Sequence, residues 1–164
     1  MRNKKNINNL MPLDDRVTMV YDGTCKRYYN SDGLLHRYIG PAVVFQNGDN
    51  QTWKEGILIS SFEKINGLQC VKSFYQDGNI KYERWEKDFR LHREDGPALI
   101  DMESNRKEWW FNGQLHRVDG PAQIKENLAR WWYKGKEYTK EKYFRMIKKK
   151  YKERAIFSED FITF

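Results

Sequence analysis

Short apolar and aromatic runs alternate with polar turns along most of the chain. The first run, Val17–Tyr21, is followed by Asp22-Gly23 and then by a second run, Thr24–Tyr29. An Asp-Gly pair between two such runs predicts a two-residue β-hairpin turn in which both turn residues have positive φ. Similar runs and turns recur as far as residue 138, so the pattern predicts a series of antiparallel hairpins.

The middle of the chain keeps this rhythm with weaker turn signals. Residues 57–75 read as strand, turn and strand, with Asn66-Gly67 as the predicted turn. The next turn is predicted at Lys87-Asp88, where no glycine is present. Because residues 57–75 lack the His-Arg pair that recurs elsewhere in the chain, we expect a degenerate repeat unit there.

One eight-residue phrase occurs three times in these hairpins. Its copies are Leu35–Ala42, Leu91–Ala98 and Leu115–Ala122, and the last two read Leu-His-Arg-x-Asp-Gly-Pro-Ala. Proline presets its own φ and keeps the preceding residue out of the helical region. The phrase therefore predicts a tight turn into the next strand, with its alanine as a small residue beneath a stacked aromatic ring.

All three histidines of the chain lie in this phrase. Imidazole suits zinc or copper, but each histidine is followed by an arginine, whose charge disfavours a nearby cation. We interpret each His-Arg pair as hydrogen-bonding turn groups or the adjacent aspartate, as in Arg93 with Asp95 and Arg117 with Asp119. The sequence predicts no metal site and no cofactor.

Candidate catalytic groups are few. Catalysis needs a nucleophile beside a base, or two carboxylates in different environments. The two cysteines, Cys25 and Cys70, have no histidine at an activating local spacing, and the aspartates of the phrase recur with the scaffold. We therefore expect a protein without enzymatic activity and without catalytic residues.

The segment after Tyr138 has a helical period. Thr139 stands at the N-cap position, and no Gly or Pro occurs from Lys140 to Arg154. An apolar stripe at helical spacing consists of Tyr143, Phe144, Ile147 and Tyr151. The sequence thus predicts a basic amphipathic helix over residues 139–154, docked by this stripe against the last hairpins.

These elements divide the chain into four predicted segments. They are a flexible N-terminal lead at 1–13, a hairpin repeat domain at 14–138, the helix at 139–154 and an aromatic, weakly acidic tail at 155–164. The predicted fold class is mainly β, an elongated antiparallel β-hairpin repeat meander with a C-terminal α-helix.

The net charge of +7 is unevenly distributed. Residues 139–154 carry eight basic and two acidic side chains, whereas residues 6–138 are neutral overall. Such a basic helix suits contact with nucleic acid, an anionic membrane surface or an acidic protein patch. The candidate anion-binding residues are Arg145, Lys148, Lys149, Lys150 and Lys152.

Aromatic residues make up 15% of the chain, well above the average, so rings must supply much of the core. Because side chains alternate along a strand, the paired tryptophans face opposite sides of a sheet. At least one face then exposes tryptophan unless a second layer or a partner covers it. The candidate protein interface consists of Trp53, Trp85, Trp109, Trp110, Trp131 and Trp132.

The number of cysteines and the pattern of apolar residues indicate the cellular compartment in which the protein is expected. With two cysteines a disulfide framework is not expected, and a reducing compartment fits better. No apolar run approaches the roughly 20 residues that a membrane helix needs, and Met1–Asn9 lacks the apolar segment of a secretory signal. We expect no transmembrane segment and an intracellular (host cytoplasm) or virion-associated protein that is not secreted by a signal peptide.

The hairpin phrase resembles a known repeat. Residues Trp110–Arg117, followed by Asp119–Ala122, are similar to the variant MORN (membrane occupation and recognition nexus) repeats of bacteriophages and of giant viruses of amoebae. The likeness covers roughly residues 28–138. It implies an elongated meander of β-hairpins and an interaction role without a shared enzymatic activity. The first copy departs from the pattern, with Tyr38-Ile39 in place of an acidic pair.

Two functions are therefore expected from the sequence. The first is a non-enzymatic β-repeat protein-interaction module, viral by resemblance, which is a minor virion component or an inhibitor of a host factor. Its partner is another protein, bound through the tryptophans. The second is a protein that binds nucleic acid or an anionic surface through the basic C-terminal helix.

Overall fold

The computed structural model describes residues 17–151, which fall into two compact units divided between Ile59 and Ser60. Both units consist mainly of antiparallel strands, and the described residues contain one helix, α1 (Lys140–Tyr151). The predicted mainly β hairpin meander with a C-terminal α-helix is confirmed. The lead at 1–13, the tail at 155–164 and helix residues 152–154 lie outside the described residues.

The first unit is a meander in which sequence neighbours pair. Its strands are β1 (Thr18–Tyr21), β2 (Cys25–Tyr29), β3 (Val43–Phe45), β4 (Asn50–Lys54) and the start of β5 (Ile57–Ile65). β1 pairs with β2, β2 with β3 and β3 with β4, all antiparallel. Cys25 and Val43 are buried between these strands.

The first hairpin turn differs from its prediction. Tyr21 pairs with Lys26 and β2 begins at Cys25, so three residues connect the strands. Gly23 has positive φ (89°) whereas Asp22 does not. The carboxylate of Asp22 accepts hydrogen bonds from the backbone amides of Thr24 (2.9 Å) and Cys25 (3.1 Å). The predicted two-residue turn is wrong because an aspartate side chain can satisfy turn amides itself and so stabilise a longer loop.

The second unit continues the meander. Its further strands are β6 (Leu68–Phe74), β7 (Ile80–Lys87), β8 (Arg90–Leu91), β9 (Leu99–Asp101), β10 (Arg106–Glu108), β11 (Trp110–Phe111), β12 (Gln114–Leu115), β13 (Gln123–Lys125), β14 (Leu128–Tyr133) and β15 (Lys136–Tyr138). From β5 onward the strand order is β5-β6-β7-β9-β10-β13-β14-β15. β8 pairs with β7, and β11 pairs with β12 in a small separate hairpin.

Two turns in this unit bear on the predictions. Asn66-Gly67 forms the predicted two-residue turn, with φ values of 50° and 79°. The following turn is Asp88-Phe89, one residue later than predicted, because Lys87 pairs with Arg90. Both of its residues have positive φ (49° and 59°). Glycine is the usual marker of such a conformation, and its absence here misplaced the prediction.

The core of the second unit consists of two small apolar clusters. Cys70, Trp85 and Ala98 form one, with Leu68, Leu91 and Trp110 packed against it. Tyr133, Tyr143 and Ile147 form the other, with Trp131, Tyr138 and Met146 packed against it. Aromatic rings thus supply much of the buried surface, as the composition indicates.

Helix α1 docks by part of its predicted stripe, since Phe144 is 39% exposed and the side chain of Tyr151 lies outside the described residues. The hydroxyl oxygen of Thr139 accepts a hydrogen bond from the amide of Lys142 at 3.4 Å, which caps the first turn. Tyr143 and Ile147 are 0% and 1% exposed, and the Tyr143 hydroxyl donates to the carbonyl of Arg117. The helix is therefore fixed both by apolar packing and by a bond to the last copy of the repeated phrase.

Candidate functional site

Each histidine of the repeated phrase accepts a hydrogen bond, called a joint below, from the turn of the next hairpin. Nδ1 of His92 accepts a hydrogen bond from the backbone amide of Asn112 at 3.0 Å, and Nδ1 of His116 accepts one from Lys134 at 3.1 Å. In the first unit, Nδ1 of His36 accepts one from Glu55 at 3.2 Å. Each amide belongs to the residue before a turn glycine, so every histidine holds the next turn.

The arginines of the repeated phrase stabilise the turns within it. Arg117 donates to Asp119 at 2.7 Å, and its guanidinium lies 4.0 Å from the centroid of the Trp109 ring. A Cβ on Gly120 would lie 2.9 Å from Cζ of this arginine, so a larger residue there would displace the guanidinium. Arg93 makes the same contacts, to Asp95 (2.8 Å) and over the Trp85 ring (4.3 Å).

These contacts confirm the interpretation of the His-Arg pairs as parts of the scaffold. The first copy shows which part is dispensable, since Ile39 replaces the aspartate. Arg37 still lies 4.0 Å from the ring centroid of Tyr28 and donates to the carbonyl of Pro41 at 3.3 Å. The stack and the carbonyl bond therefore form without the aspartate. The polar side chains of the phrase mainly hold turns, and a cavity of about 390 Å³ lies between its last two copies, lined by Arg93, Asp95, Trp109, Arg117 and Asp119 among others.

The most buried carboxylate is also committed to structure. Glu108 is 1% exposed and accepts hydrogen bonds from Arg106 (2.7 Å), Trp110 (2.9 Å) and Gln123 (2.5 Å). Burial raises its pKa, but the three donors outweigh that effect and hold the pKa of Glu108 below its ordinary value. An ionised carboxylate with three fixed donors suits a structural anchor and not a general acid.

The described cysteines are both free and buried. Burial raises the pKa of the Cys70 thiol to about 11, so it is protonated at neutral pH and a poor nucleophile. Within residues 17–151, no group of three or more His, Cys, Asp and Glu side chains is placed to hold a metal ion.

The six tryptophans are less exposed than the sequence suggested. Trp85 is buried, and the other five are half-buried. Trp110 donates its indole N–H to Glu108, and Trp131 lies against two rings of α1, with centroids 5.1 Å from Tyr143 and 4.8 Å from Phe144. Trp110 and Trp131 thus have structural tasks in their own unit, whereas the indole N–H of Trp132 is buried without a hydrogen-bond partner among the described residues. The protein interface that the six tryptophans were expected to form stays a prediction.

The most exposed apolar side chain described is Phe89, at 90%. It occupies a turn position with positive φ where the corresponding turns have Gly67, Gly113 and Gly135. Sequence reasoning missed it, although an aromatic residue in place of a turn glycine was a visible signal.

A second cavity, a groove beside α1, differs from the first in that all of its charged lining residues are cationic. It has a volume of about 680 Å³ and lies between the helix and the β14–β15 hairpin. Its lining consists of Tyr133, Tyr138, Lys142, Arg145, Met146, Lys149 and Lys150. Helical positions three and four apart share a face, which explains why these α1 side chains converge.

The charge of the groove has one sign. Four of its seven lining residues are cationic and none is acidic. Among residues 17–151, no carboxylate forms an ion pair with any lysine or arginine of α1. The positive charge is therefore uncompensated by the described part of the chain, and the groove should attract anions.

The groove includes part of the predicted anion-binding set. Arg145, Lys149 and Lys150 line it, whereas Lys148 is exposed on the same helix and does not. Lys152 lies outside the described residues. Sequence reasoning missed Lys142, which lies three residues before Arg145 and seven before Lys149, a spacing that already placed it on the same helical face.

Two tyrosines form the aromatic part of the groove. Tyr133 is 8% exposed, with its ring 4.7 Å from that of His116 and the ammonium of Lys150 lying 4.9 Å from its centroid. Tyr138 is half-buried, with the ammonium of Lys136 at 5.4 Å from its ring centroid. The groove therefore combines aromatic rings with several cations.

Comparison of the chain with protein-family models, curated proteins and solved structures gives no match. The resemblance to variant MORN repeats therefore stays a prediction that rests on the phrase alone. In the described part of the chain, no helix has the length and apolar character needed to cross a bilayer. The contacts of the α1 groove are thus the main guide to function.

Proposed function

We propose that the protein is a non-enzymatic binding module that binds nucleic acid through phosphate contacts in the α1 groove. The observation that supports this proposal is the convergence of Lys142, Arg145, Lys149 and Lys150 on one groove without a lining carboxylate. Lysine and arginine are the usual partners of nucleic-acid phosphates.

Helix stability alone does not account for these cations. Lys148, Lys149 and Lys150 lie in the last turn of α1, where positive charge interacts favourably with the helix dipole. Lys142 and Arg145 lie in the first and middle turns, where that benefit is absent.

The test measures binding of a fluorescently labelled oligonucleotide by anisotropy, from about 50 to about 200 mM salt. Four phosphate contacts predict a slope of about −3 for log affinity against log salt with a single strand. The variant Arg145→Gln/Lys149→Gln removes two groove charges, so its slope should fall to roughly half and its affinity should drop at low salt.

The matched control is Lys148→Gln/Lys107→Gln, which removes two exposed charges outside the groove lining. Its slope should stay close to that of the unmodified protein. Equal losses in both double variants would show that only net charge matters and would contradict the proposal. So would stronger binding to vesicles of anionic lipid than to the oligonucleotide, or no binding to nucleic acid at all.

A second candidate function, protein binding, is supported by Phe89. Its side chain is 90% exposed on a backbone with φ of 59°, a conformation that costs a non-glycine residue about 1 kcal/mol. Retaining a strained, exposed aromatic residue suits an anchor for another protein. Replacing Phe89 tests protein binding more specifically than replacing Trp110, because loss of the Trp110 indole would also remove a hydrogen bond to Glu108.

The test for this second function compares pull-downs from the same host extract with the unmodified protein, Phe89→Gly and Phe89→Trp. A specific partner should be lost with glycine and kept with tryptophan. If every captured protein binds the glycine variant equally well, Phe89 is not an anchor.

A further inference from the structure

We infer that the α1 groove selects single-stranded nucleic acid, with a base stacked on the ring of Tyr138. This inference rests on the function proposed above and specifies the form of nucleic acid that the groove binds. It is supported by the composition of the groove, in which Tyr133, Tyr138 and Met146 contribute an apolar surface among the four cations.

The two tyrosines have different surroundings. Tyr133 is only 8% exposed, packs on His116 and has the Lys150 ammonium near its ring, so the ring is held in place and offers little open surface to a ligand. Tyr138 is half-buried and belongs to the periphery of the same apolar cluster. It is therefore the ring with surface left to cover.

Phosphates alone would not use this surface. A duplex presents its phosphates outside and keeps its bases stacked within, so the ring of Tyr138 and the thioether of Met146 would stay in water. An unpaired base can stack on a tyrosine while its neighbouring phosphates reach lysine and arginine, which is the usual arrangement for single-strand binding without sequence preference.

The dimensions agree with this occupant. Pockets of about 300–1,000 Å³ hold ligands of small-molecule size, and the groove has about 680 Å³. This is enough for one or two nucleotides. The ammonium of Lys136 lies over the Tyr138 ring at 5.4 Å from its centroid, so this flexible side chain has to move aside for a base to stack there. Lys142 and Lys149 on the helix supply cations around the stacking position.

The experiment uses the full chain and three labelled probes with equal numbers of phosphates: an oligothymidine of about 12 nucleotides, an abasic strand and a duplex. Stacking of one base is worth about 1–3 kcal/mol, so oligothymidine should bind roughly 5- to 150-fold more tightly than the abasic strand. The duplex should bind no more tightly than the abasic strand.

Variants locate this preference on one ring. Tyr138→Leu should reduce oligothymidine affinity to that of the abasic strand, without changing the salt slope, because no phosphate contact is lost. Tyr138→Phe should keep the preference. The matched control is Tyr75→Leu, since Tyr75 is another half-buried tyrosine with a nearby lysine, Lys81 at 5.8 Å from the ring centroid, outside the groove.

The outcomes separate the two proposals. If the abasic strand or the duplex binds as tightly as oligothymidine, the single-strand inference is wrong while phosphate binding by the groove stands. If no probe binds, the proposed function fails as well. The comparison of probes on the unmodified protein decides this even if Tyr138→Leu does not fold, and a preference that survives in a folded Tyr138→Leu also overturns the inference.

Discussion

Replacement of Glu108 by leucine should be among the most destabilising single changes in the second unit. The carboxylate is 1% exposed and accepts from Arg106, Trp110 and Gln123. Leucine fits the apolar surroundings but leaves these donors without an acceptor. The side chain of Arg106 is 38% exposed and can turn to water, whereas Trp110 and Gln123 are half-buried.

The magnitude follows from those two donors. A half-buried or buried donor left unsatisfied costs about 1–3 kcal/mol, so Glu108→Leu should lower the free energy of unfolding by about 2–6 kcal/mol. Glu108→Gln keeps the shape and one carbonyl acceptor but turns an NH₂ group towards a donor, and should cost about 1–3 kcal/mol. Urea denaturation followed by tryptophan fluorescence measures both values.

Acid titration adds an independent check on Glu108. Its pKa in the folded protein lies below the ordinary value of 4.5, so its contribution is complete above that value and is lost as the pH falls through the folded pKa. Glu108→Gln should therefore show a smaller loss of stability in acid than the unmodified protein. An exposed control, Glu126→Gln, should match the unmodified protein. If Glu108→Leu costs less than about 1 kcal/mol, the three bonds do not stabilise the fold as argued.

Three further changes test other parts of the structure. Phe89→Gly should raise the free energy of unfolding by about 1 kcal/mol, because it relieves positive φ and buries no less surface; a loss of stability by urea denaturation would contradict this. Gly120→Ala should cost about 1 kcal/mol or more by displacing the Arg117 stack, and more than Gly96→Ala, where the corresponding Cβ would lie 3.3 Å from arginine atoms and not 2.9 Å; equal melting temperatures would refute it. Burial and the positive charges of Lys134 and Lys150 lower the pKa of His116 below its ordinary value of 6.5. The contribution of His116 to the free energy of unfolding should therefore be fully present above about pH 6.5 and should fall as the pH drops from 6.5 to the pKa of the folded protein. This fall should be at most about 1.4 kcal/mol per pH unit. His116→Gln should lack this dependence in urea titrations between about pH 7.5 and about pH 5.5, and an unchanged profile would refute the assignment.

Local chemistry accounts for what the sequence predicted correctly. Thr139 caps α1, Tyr143 and Ile147 are the buried part of its predicted stripe, and Asn66-Gly67 makes a two-residue turn. Each of these outcomes depends on residues within a few positions of one another, so a pattern along the chain is sufficient. The scaffold role of Arg117 with Asp119 was predictable for the same reason.

The remaining features depend on contacts that spacing does not specify. Asp22 bonds its own loop and lengthens the turn, although the pair Asp-Gly is typical of a shorter one. The groove needs Tyr133 and Tyr138 to meet α1, and this depends on which side of the last hairpin the helix covers. The cations of the helix were visible in the sequence, whereas the rings that complete the groove were not.

The histidine joints have a consequence for how such a chain can change in length. Each joint connects a histidine to an amide 18 to 20 residues later, so it involves one neighbouring hairpin and no more distant part of the chain. A second copy of residues 93–116 inserted after His116 would give that histidine the copied Asn112 as its donor, and the new histidine would take Lys134. Whole hairpins can therefore be gained or lost by duplication or deletion without leaving a joint unmade, whereas a partial insertion would break one.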